Sequence, residues 1–387
     1  MADYLRPAIA LAPWSANNNG PLGPQNYQNF HNPEFFSDAR TPWARFWIRW
    51  DFLQPAGVTD AAKDTKAIPQ YPSLTPQAYL LYMNLQIQKA RLDGKSIILT
   101  LYAFPSWTNR GRAASGPRPT AGYDYLCPPD DVAAGTATSF GSPYDAIIWY
   151  LCTYYHTQNP VVPGVSINIL EVTNEPNLQW WPQTNNAGQK LMSTVAAGMM
   201  ATARTRTRLS TGNLPIIAGP AVVDTTTSTA TRQDWLSFTN EVLTLFLVFQ
   251  YPVDQYMAWT IHNYGDIRDN TNLARQARLR LEAGQWRGWP FADPARPYLL
   301  ATEGGDLISS TADYQRQGDR LQTTWDRYRV TDGIGMMTNY LTWSDAGFDS
   351  GLCVRWPGAG FDAARPRAEY ERPALARWAN FGTTAPR

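Results

Sequence analysis

Two glutamates stand where apolar runs open into loops. Glu175 follows the run Ile167-Asn168-Ile169-Leu170-Glu171-Val172 by three residues, and Glu303 ends the run Tyr298-Leu299-Leu300-Ala301-Thr302. A pair of carboxylates facing each other across a pocket can cleave a glycosidic bond. One protonates the leaving oxygen and the other attacks the anomeric carbon. A gap of about 5–5.5 Å leaves no room for water to attack directly, which makes the reaction a double displacement through a covalent glycosyl-enzyme. The acid of such a pair must keep its proton near neutral pH, through burial or through its partner's negative charge. Either glutamate alone would read as a surface carboxylate. Two of them, ending the fourth and seventh apolar runs, point to catalysis.

The elements that would carry them alternate along the chain. Eight short runs favour strands: Pro7–Trp14, Trp43–Phe52, Ser96–Phe104, Val165–Thr173, Leu214–Val222, Gln255–Tyr264, Tyr298–Thr302 and Gly335–Trp343. Helical patterns fall between or after them at Thr75–Leu92, Ser142–His156, Gly188–Leu209, Gln233–Leu247, Leu273–Ala283, Thr311–Val330 and Glu369–Phe381. In the second of these, Ser142 reads as a cap and Pro143 as the first helical residue. Strand–helix alternation implies a parallel sheet with helical crossovers, and eight such units favour closure. The expected fold class is α/β, a (β/α)8 TIM barrel forming a single catalytic domain over residues 1–387. Gly/Pro/Ala-rich stretches at about 14–33 and 105–141 would be long βα loops on the catalytic face. Only a short tail follows the eighth run, so no accessory domain is expected.

Alternation within strands adds candidates. Arg45, Trp47, Arg49 and Asp51 share one face by the period of two. A charged inward face in a barrel is costly unless it is paired. Glu171 shares a face with Glu175 and could pair with an arginine of the second strand. The alternative is that Arg45 and Arg49 make purely structural ion pairs. Trp107, Trp180 and Trp181 are candidate platforms for sugar rings, and each equally suits a loop anchor; the adjacent pair 180–181 cannot both face one way in an extended segment. His262 is either a site residue or a neutral, packed strand histidine.

Asn174-Glu175-Pro176 after a strand, with Glu303 ending a later one, resembles glycoside hydrolase clan A. Gly219-Pro220-Ala221 after the fifth run, His262-x-Tyr264 after the sixth and Pro105-Ser106-Trp107 after the third resemble family 39 of that clan most, with family 5 next. The match covers nearly the whole chain as an order of motifs. It departs at Thr173, where a tryptophan is commoner, and at Gly304, where an aromatic often follows the second glutamate. The resemblance implies that Glu175 is the general acid/base and Glu303 the nucleophile. It implies that Asn174 binds the sugar 2-hydroxyl, that Tyr264 donates to Glu303, and that Arg45 lies beneath Glu303. It implies that Trp343 floors the pocket. The expected enzyme is a retaining glycosidase acting on a β-linked oligo- or polysaccharide or on a furanoside. The same carboxylates would serve a transglycosylase, and a non-catalytic sugar-binding barrel is the third reading.

Bulk properties agree with a carbohydrate partner and narrow the alternatives. The 387 residues carry a net charge of +1, from 33 basic and 32 acidic side chains, without the basic excess of a nucleic-acid binder. Sixteen tryptophans and 20 tyrosines supply flat faces suited to sugar C–H surfaces. Arginine far outnumbers lysine, and the helical Arg204, Arg206 and Arg208 read as a solvated face. No GxGxxG or GxxxxGK[ST] follows a strand, and the three histidines His31, His156 and His262 form no HExxH pattern, so neither cofactor nor metal is expected. Cys127, Cys152 and Cys353 allow at most one bridge and otherwise read as buried thiols. No run of eighteen apolar residues suggests a membrane span, and Met1–Trp14 does not read as a signal peptide; a cytoplasmic and a secreted location both stay open, as does the oligomeric state.

Overall fold

The computed structural model describes residues 6–11, 42–69, 71–109, 126–132, 138, 140–184, 191–229, 231–251, 253–283, 299–329, 334–340, 349, 352 and 372–381. Eight parallel strands close into a barrel in chain order: β1 (Arg6–Leu11), β2 (Trp43–Arg49), β3 (Ser96–Tyr102), β4 (Ile169–Glu171), β5 (Ile216–Val223), β6 (Met257–His262), β7 (Leu299–Glu303) and β8 (Met336–Asn339). Closure comes from β1 pairing with β8, for example Ala8 with Thr338. The expected (β/α)8 fold is the observed one.

Nine α-helices are described: α1 (Trp50–Leu53), α2 (Pro76–Leu92), α3 (Pro143–Tyr154), α4 (Met192–Ser210), α5 (Trp235–Val248), α6 (Tyr264–Arg268), α7 (Leu273–Ala283), α8 (Tyr314–Arg327) and α9 (Pro373–Phe381). Local signals set several of their ends. Thr75 accepts from Ala78 N–H at 3.1 Å ahead of α2, and Asp234 accepts from Ser237 N–H at 2.9 Å ahead of α5. Ser142 precedes α3 with Pro143 at its first position, but gives no side-chain cap. Instead Asp131 accepts from Tyr144 N–H at 3.0 Å.

Two layers fill the barrel. Ile98, Ile169, Ala218, Ala258, Leu300 and Met336 form a closed apolar cluster separate from the main core. Two residues further along five of these strands stand Thr100, Glu171, Thr260, Thr302 and Thr338, all with no solvent exposure. By the same step Trp43 leads to Arg45 on β2. The interior therefore turns from apolar to polar toward the strands' C-terminal ends, where a barrel keeps its site. The main core lies outside the sheet, between strands and helices, and includes Trp50, Trp259 and Trp378. Burying each such ring contributes about 2–3 kcal/mol.

Three expected boundaries change. The second strand stops at Arg49, because Gln54 N–H bonds Trp50 C=O at 2.9 Å and turns the apolar run 50–53 into a helical turn. Asp51 therefore leaves the strand face, although Arg49 still holds it in a two-bond pair at 2.9 and 2.6 Å. The fourth strand shortens to Ile169–Glu171. The sixth ends at His262, and Tyr264 opens α6, so these two residues do not share a strand face. The stretch 14–33 and most of 105–141 lie outside the described residues, as do His31, Trp343 and Cys353. Cys127 and Cys152 are both buried.

Candidate active site

Arg45 is the centre of the polar layer and has no solvent exposure. Its Nε and Nη2 donate to Glu171 Oε2 at 2.9 and 2.6 Å, its Nη1 donates to Glu303 Oε2 at 2.6 Å, and Nη2 also donates to Asn174 Oδ1 at 2.7 Å. Burial alone would lower the guanidinium's pKa, but the carboxylates of Glu171 and Glu303 hold it above its ordinary value. Glu171 also accepts from the Thr100 hydroxyl at 2.7 Å and, on its other oxygen, from the Thr302 hydroxyl at 2.7 Å. Burial pushes Glu171 up, yet Arg45, His262 and the two hydroxyls bring it below the usual carboxylate range. These threonines were not singled out from sequence. Each follows three apolar residues of its strand, Ile97-Ile98-Leu99 before Thr100 and Leu299-Leu300-Ala301 before Thr302, and that is the signal that could have found them.

Glu303 ends β7 with a side chain only 6% exposed. Besides Arg45 it takes a hydrogen bond from the Tyr264 hydroxyl at 2.5 Å. Burial first, then the negative Glu303, pushes the Tyr264 phenol well above its ordinary value, so it remains a donor. Glu175 lies opposite with a 17% exposed side chain. Its backbone takes a positive φ of 53° and its N–H bonds Ala221 C=O at 3.1 Å. A left-handed residue of this size costs roughly 1–3 kcal/mol and persists only where its surroundings fix it. His262 bridges the two carboxylates, with Nδ1 3.0 Å from Glu175 Oε1 and Nε2 3.8 Å from Glu303 Oε2. Burial would lower its pKa, but Glu303 and Glu175 together raise it above the ordinary imidazole value. One oxygen of Glu175 and one of Glu303 lie within 4.8 Å of each other.

The remaining predicted residues divide. Asn174 joins the site, its Oδ1 held by Arg45 and by Trp47 Nε1 at 3.3 Å. Trp47 and Tyr264 each meet Tyr340 edge-to-face, with centroids 6.0 and 6.5 Å apart; Tyr340 was not anticipated. Trp107 donates from its ring to Gln54 C=O at 2.7 Å and packs edge-on to Trp50, which is an anchor's role. Trp181 is buried and donates to Asn174 C=O at 2.9 Å, while its neighbour Trp180 is half-buried against the core. The two departures from the clan pattern have local causes. The Thr173 hydroxyl donates to Pro220 C=O at 2.6 Å in a closed space, and a Cβ on Gly304 would overlap the Asn263 carboxamide. Arg204 and Arg206 are buried partners of Asp254 and Asp145, not a solvated face; Arg208 is exposed.

No family model matches the sequence, and no curated protein matches it. Solved structures do match. A β-glucosidase from Thermotoga maritima aligns with TM-score 0.55 and 8% identity over 98% of this chain and 97% of its own. An aphid myrosinase aligns with TM-score 0.54 and 12% identity over 98% of both chains. An exo-β-1,4-mannosidase from an Opitutaceae bacterium aligns with TM-score 0.53 and 13% identity over 99% of this chain and 60% of its own. The likeness is one of fold.

A cation is the other occupant such a cluster suggests, because Glu175, His262 and Glu303 each bring one donor atom into the same 4.8 Å. The donor set fits poorly. Glu303 Oε2 already carries the Arg45 guanidinium and Oε1 the Tyr264 hydroxyl, so a metal would meet a fixed positive charge and two oxygens already engaged by donors. Among the described residues no helix is long and apolar enough to cross a membrane.

Proposed function

We propose that the chain is a retaining glycoside hydrolase acting through a covalent glycosyl-enzyme, with Glu303 as nucleophile and Glu175 as general acid/base. One observation carries the reading: an oxygen of each carboxylate lies within 4.8 Å of the other, and among the described residues Glu303 alone of the two sits on an arginine. That separation is below the roughly 6.5–9.5 Å that an inverting pair keeps for a water. Arg45 and the Tyr264 hydroxyl each hold one oxygen of Glu303, which fixes the carboxyl group for attack on the anomeric carbon. Glu175, on His262 and more exposed, is the carboxyl that reaches a leaving oxygen. Asn174 offers its amide NH2 to the sugar 2-hydroxyl, because Arg45 and Trp47 occupy its oxygen. The substrate is a β-linked oligo- or polysaccharide, or a furanoside. We read the chain as one catalytic barrel. Within clan A, the order of Pro105-Ser106-Trp107, Gly219-Pro220-Ala221 and His262-x-Tyr264 supports family 39.

The test is turnover of a panel of aryl glycosides by wild type, Glu303→Gln and Glu175→Gln. Glu303→Gln should lose several powers of ten on every substrate the wild type cleaves. Glu175→Gln should lose roughly 10²–10⁴-fold on a poor leaving group and much less on dinitrophenolate, which needs no proton. NMR of the first-formed product should show the substrate's anomeric configuration. Full turnover in both variants, or inversion, would refute the assignment; transfer to an added acceptor sugar would reassign the enzyme as a transglycosylase.

A further inference from the structure

Asp224 follows β5 immediately, away from the cluster of Arg45, Glu171 and Glu303, and takes hold of the 262–266 segment at two points. Its backbone N–H bonds His262 C=O at 3.2 Å. Its carboxylate Oδ2 accepts from Gly265 N–H at 2.5 Å and from Asp266 N–H at 3.2 Å. Between these grips lie His262, which meets Glu175, and Tyr264, which meets Glu303.

The segment depends on outside support. Helix α6 has only five residues, too few to hold itself together, and the first N–H groups of any helix lack internal partners. Its own N-cap residue, Asn263, provides no side-chain cap and instead donates to the Tyr328 hydroxyl at 2.7 Å. Asp224 supplies the missing acceptor from the neighbouring strand. Residue 265 fits this contact by being glycine, since a Cβ there would lie 2.9 Å from Asp224 Oδ2.

We propose that Asp224 is a positioning residue for Tyr264: by gripping the first turn of α6 from the end of β5, it sets where the Tyr264 hydroxyl meets Glu303. Asp224 touches neither carboxylate and acts through the turn. Burial, followed by the like charge of Asp266, pushes the Asp224 carboxyl up to about 7, with the bonds from Gly265 and Asp266 and the charge of Arg268 opposing the rise. Asparagine at 224 would therefore keep an acceptor for the two N–H groups while removing the charge that Asp266 opposes.

The kinetic consequence rests on the glycosidase reading above, whereas the positional one does not, and the experiment separates them. Protein labelled at tyrosine Cζ gives a signal for Tyr264 that Tyr264→Phe assigns and that Glu303→Gln calibrates for loss of the carboxylate partner. Asp224→Ala should move this signal toward the Glu303→Gln position. Gly265→Ala should move it likewise, and Asp224→Asn should leave it with wild type. In kinetics, Asp224→Ala should lower kcat/KM about tenfold in the wild-type background and no more than about twofold in Tyr264→Phe, because the two act as one unit. A folded Asp224→Ala whose Tyr264 signal stays at wild type would overturn the proposal, as would equal fold-losses in the two backgrounds. Should Asp224→Ala fail to fold, a folded Gly265→Ala with an unmoved signal overturns it just as well. Absence of turnover in the wild type would refute the glycosidase reading and leave the NMR result to decide Asp224.

Discussion

Glu171 offers the sharpest stability test, because its charge is buried and its partners are all named. It accepts four hydrogen bonds: two from Arg45, one from Thr100 and one from Thr302. Glu171→Ala would leave a fully buried guanidinium with two of its N–H groups unmatched. Removing one partner of a buried ion pair costs about 3–5 kcal/mol. Arg45 keeps Glu303 and Asn174, which reduces the loss, while the two stranded hydroxyls add to it. The expected cost is about 4 kcal/mol, a large part of the roughly 5–15 kcal/mol that holds a typical protein folded. Glu171→Gln differs in a way the geometry specifies. Its oxygen can face Arg45 and Thr100, and its amide can donate to the Thr302 hydroxyl, which rotates to accept. All the contacts survive and only the charge is lost. Charge-assisted bonds are roughly twice as strong as neutral ones, so about 1.5–2 kcal/mol should go. Urea denaturation with an unchanged m-value measures both. A loss under about 1 kcal/mol in Glu171→Ala, or equal losses in the two variants, would refute the idea that Glu171 is the counter-charge of Arg45.

Further expectations follow from single contacts. The Asp224 carboxyl gives up its proton near 3.9 when unfolded and near 7 when folded, so between those values the folded state binds more protons and stability falls as pH rises. The full shift corresponds to ~4 kcal/mol, which partial exposure of Asp224 reduces to about 1–2 kcal/mol; Asp224→Asn should therefore gain melting temperature over wild type at pH 8 and not at pH 4, and an equal difference at both would contradict this. Gly304→Ala should cost about 1–3 kcal/mol and lower kcat, because its Cβ would also lie 2.9 Å from Ile267 Cδ1 in the turn beside Glu303; wild-type melting and turnover would show that the turn yields freely. Trp181→Ala should lose about 3–5 kcal/mol in a denaturant melt, since the ring is buried and tied to Asn174. Trp180→Ala should cost less and raise KM for oligosaccharides, and a KM unchanged for every substrate would remove Trp180 as a platform.

What could be seen in the sequence, and what could not, follows from what periodicity encodes. The eight strands were legible because each is an apolar run bounded by turn residues. Arg45 and Glu171 were legible as inward residues because a strand repeats every two positions. The end of β2 was not, since Trp50-Asp51-Phe52-Leu53 is as apolar in a helical turn as in a strand, and only the bond from Gln54 to Trp50 decides. Tyr264 was legible as a donor to Glu303 through the clan's motif order, yet its seat on α6 was not. Asp224 left no trace at all. It works through backbone N–H groups of Gly265 and Asp266, and any residue but proline offers those.

The same geometry explains how two glutamates of one type come to differ. They share a pocket within 4.8 Å, so distance between them cannot distinguish their roles. What differs is the layer each reaches. Glu303 extends down to the buried guanidinium, which Glu171 orients from below by taking its Nε and one Nη2 bond and leaving Nη1 directed at Glu303. Glu175, lifted by its left-handed backbone and its bond to Ala221, stays the more exposed of the two and meets the buried His262. A guanidinium lies beneath one carboxylate and an imidazole beside the other, so the two glutamates meet different partners across a few ångströms. On the proposed assignment, reversing the roles would require moving Arg45, not exchanging the glutamates.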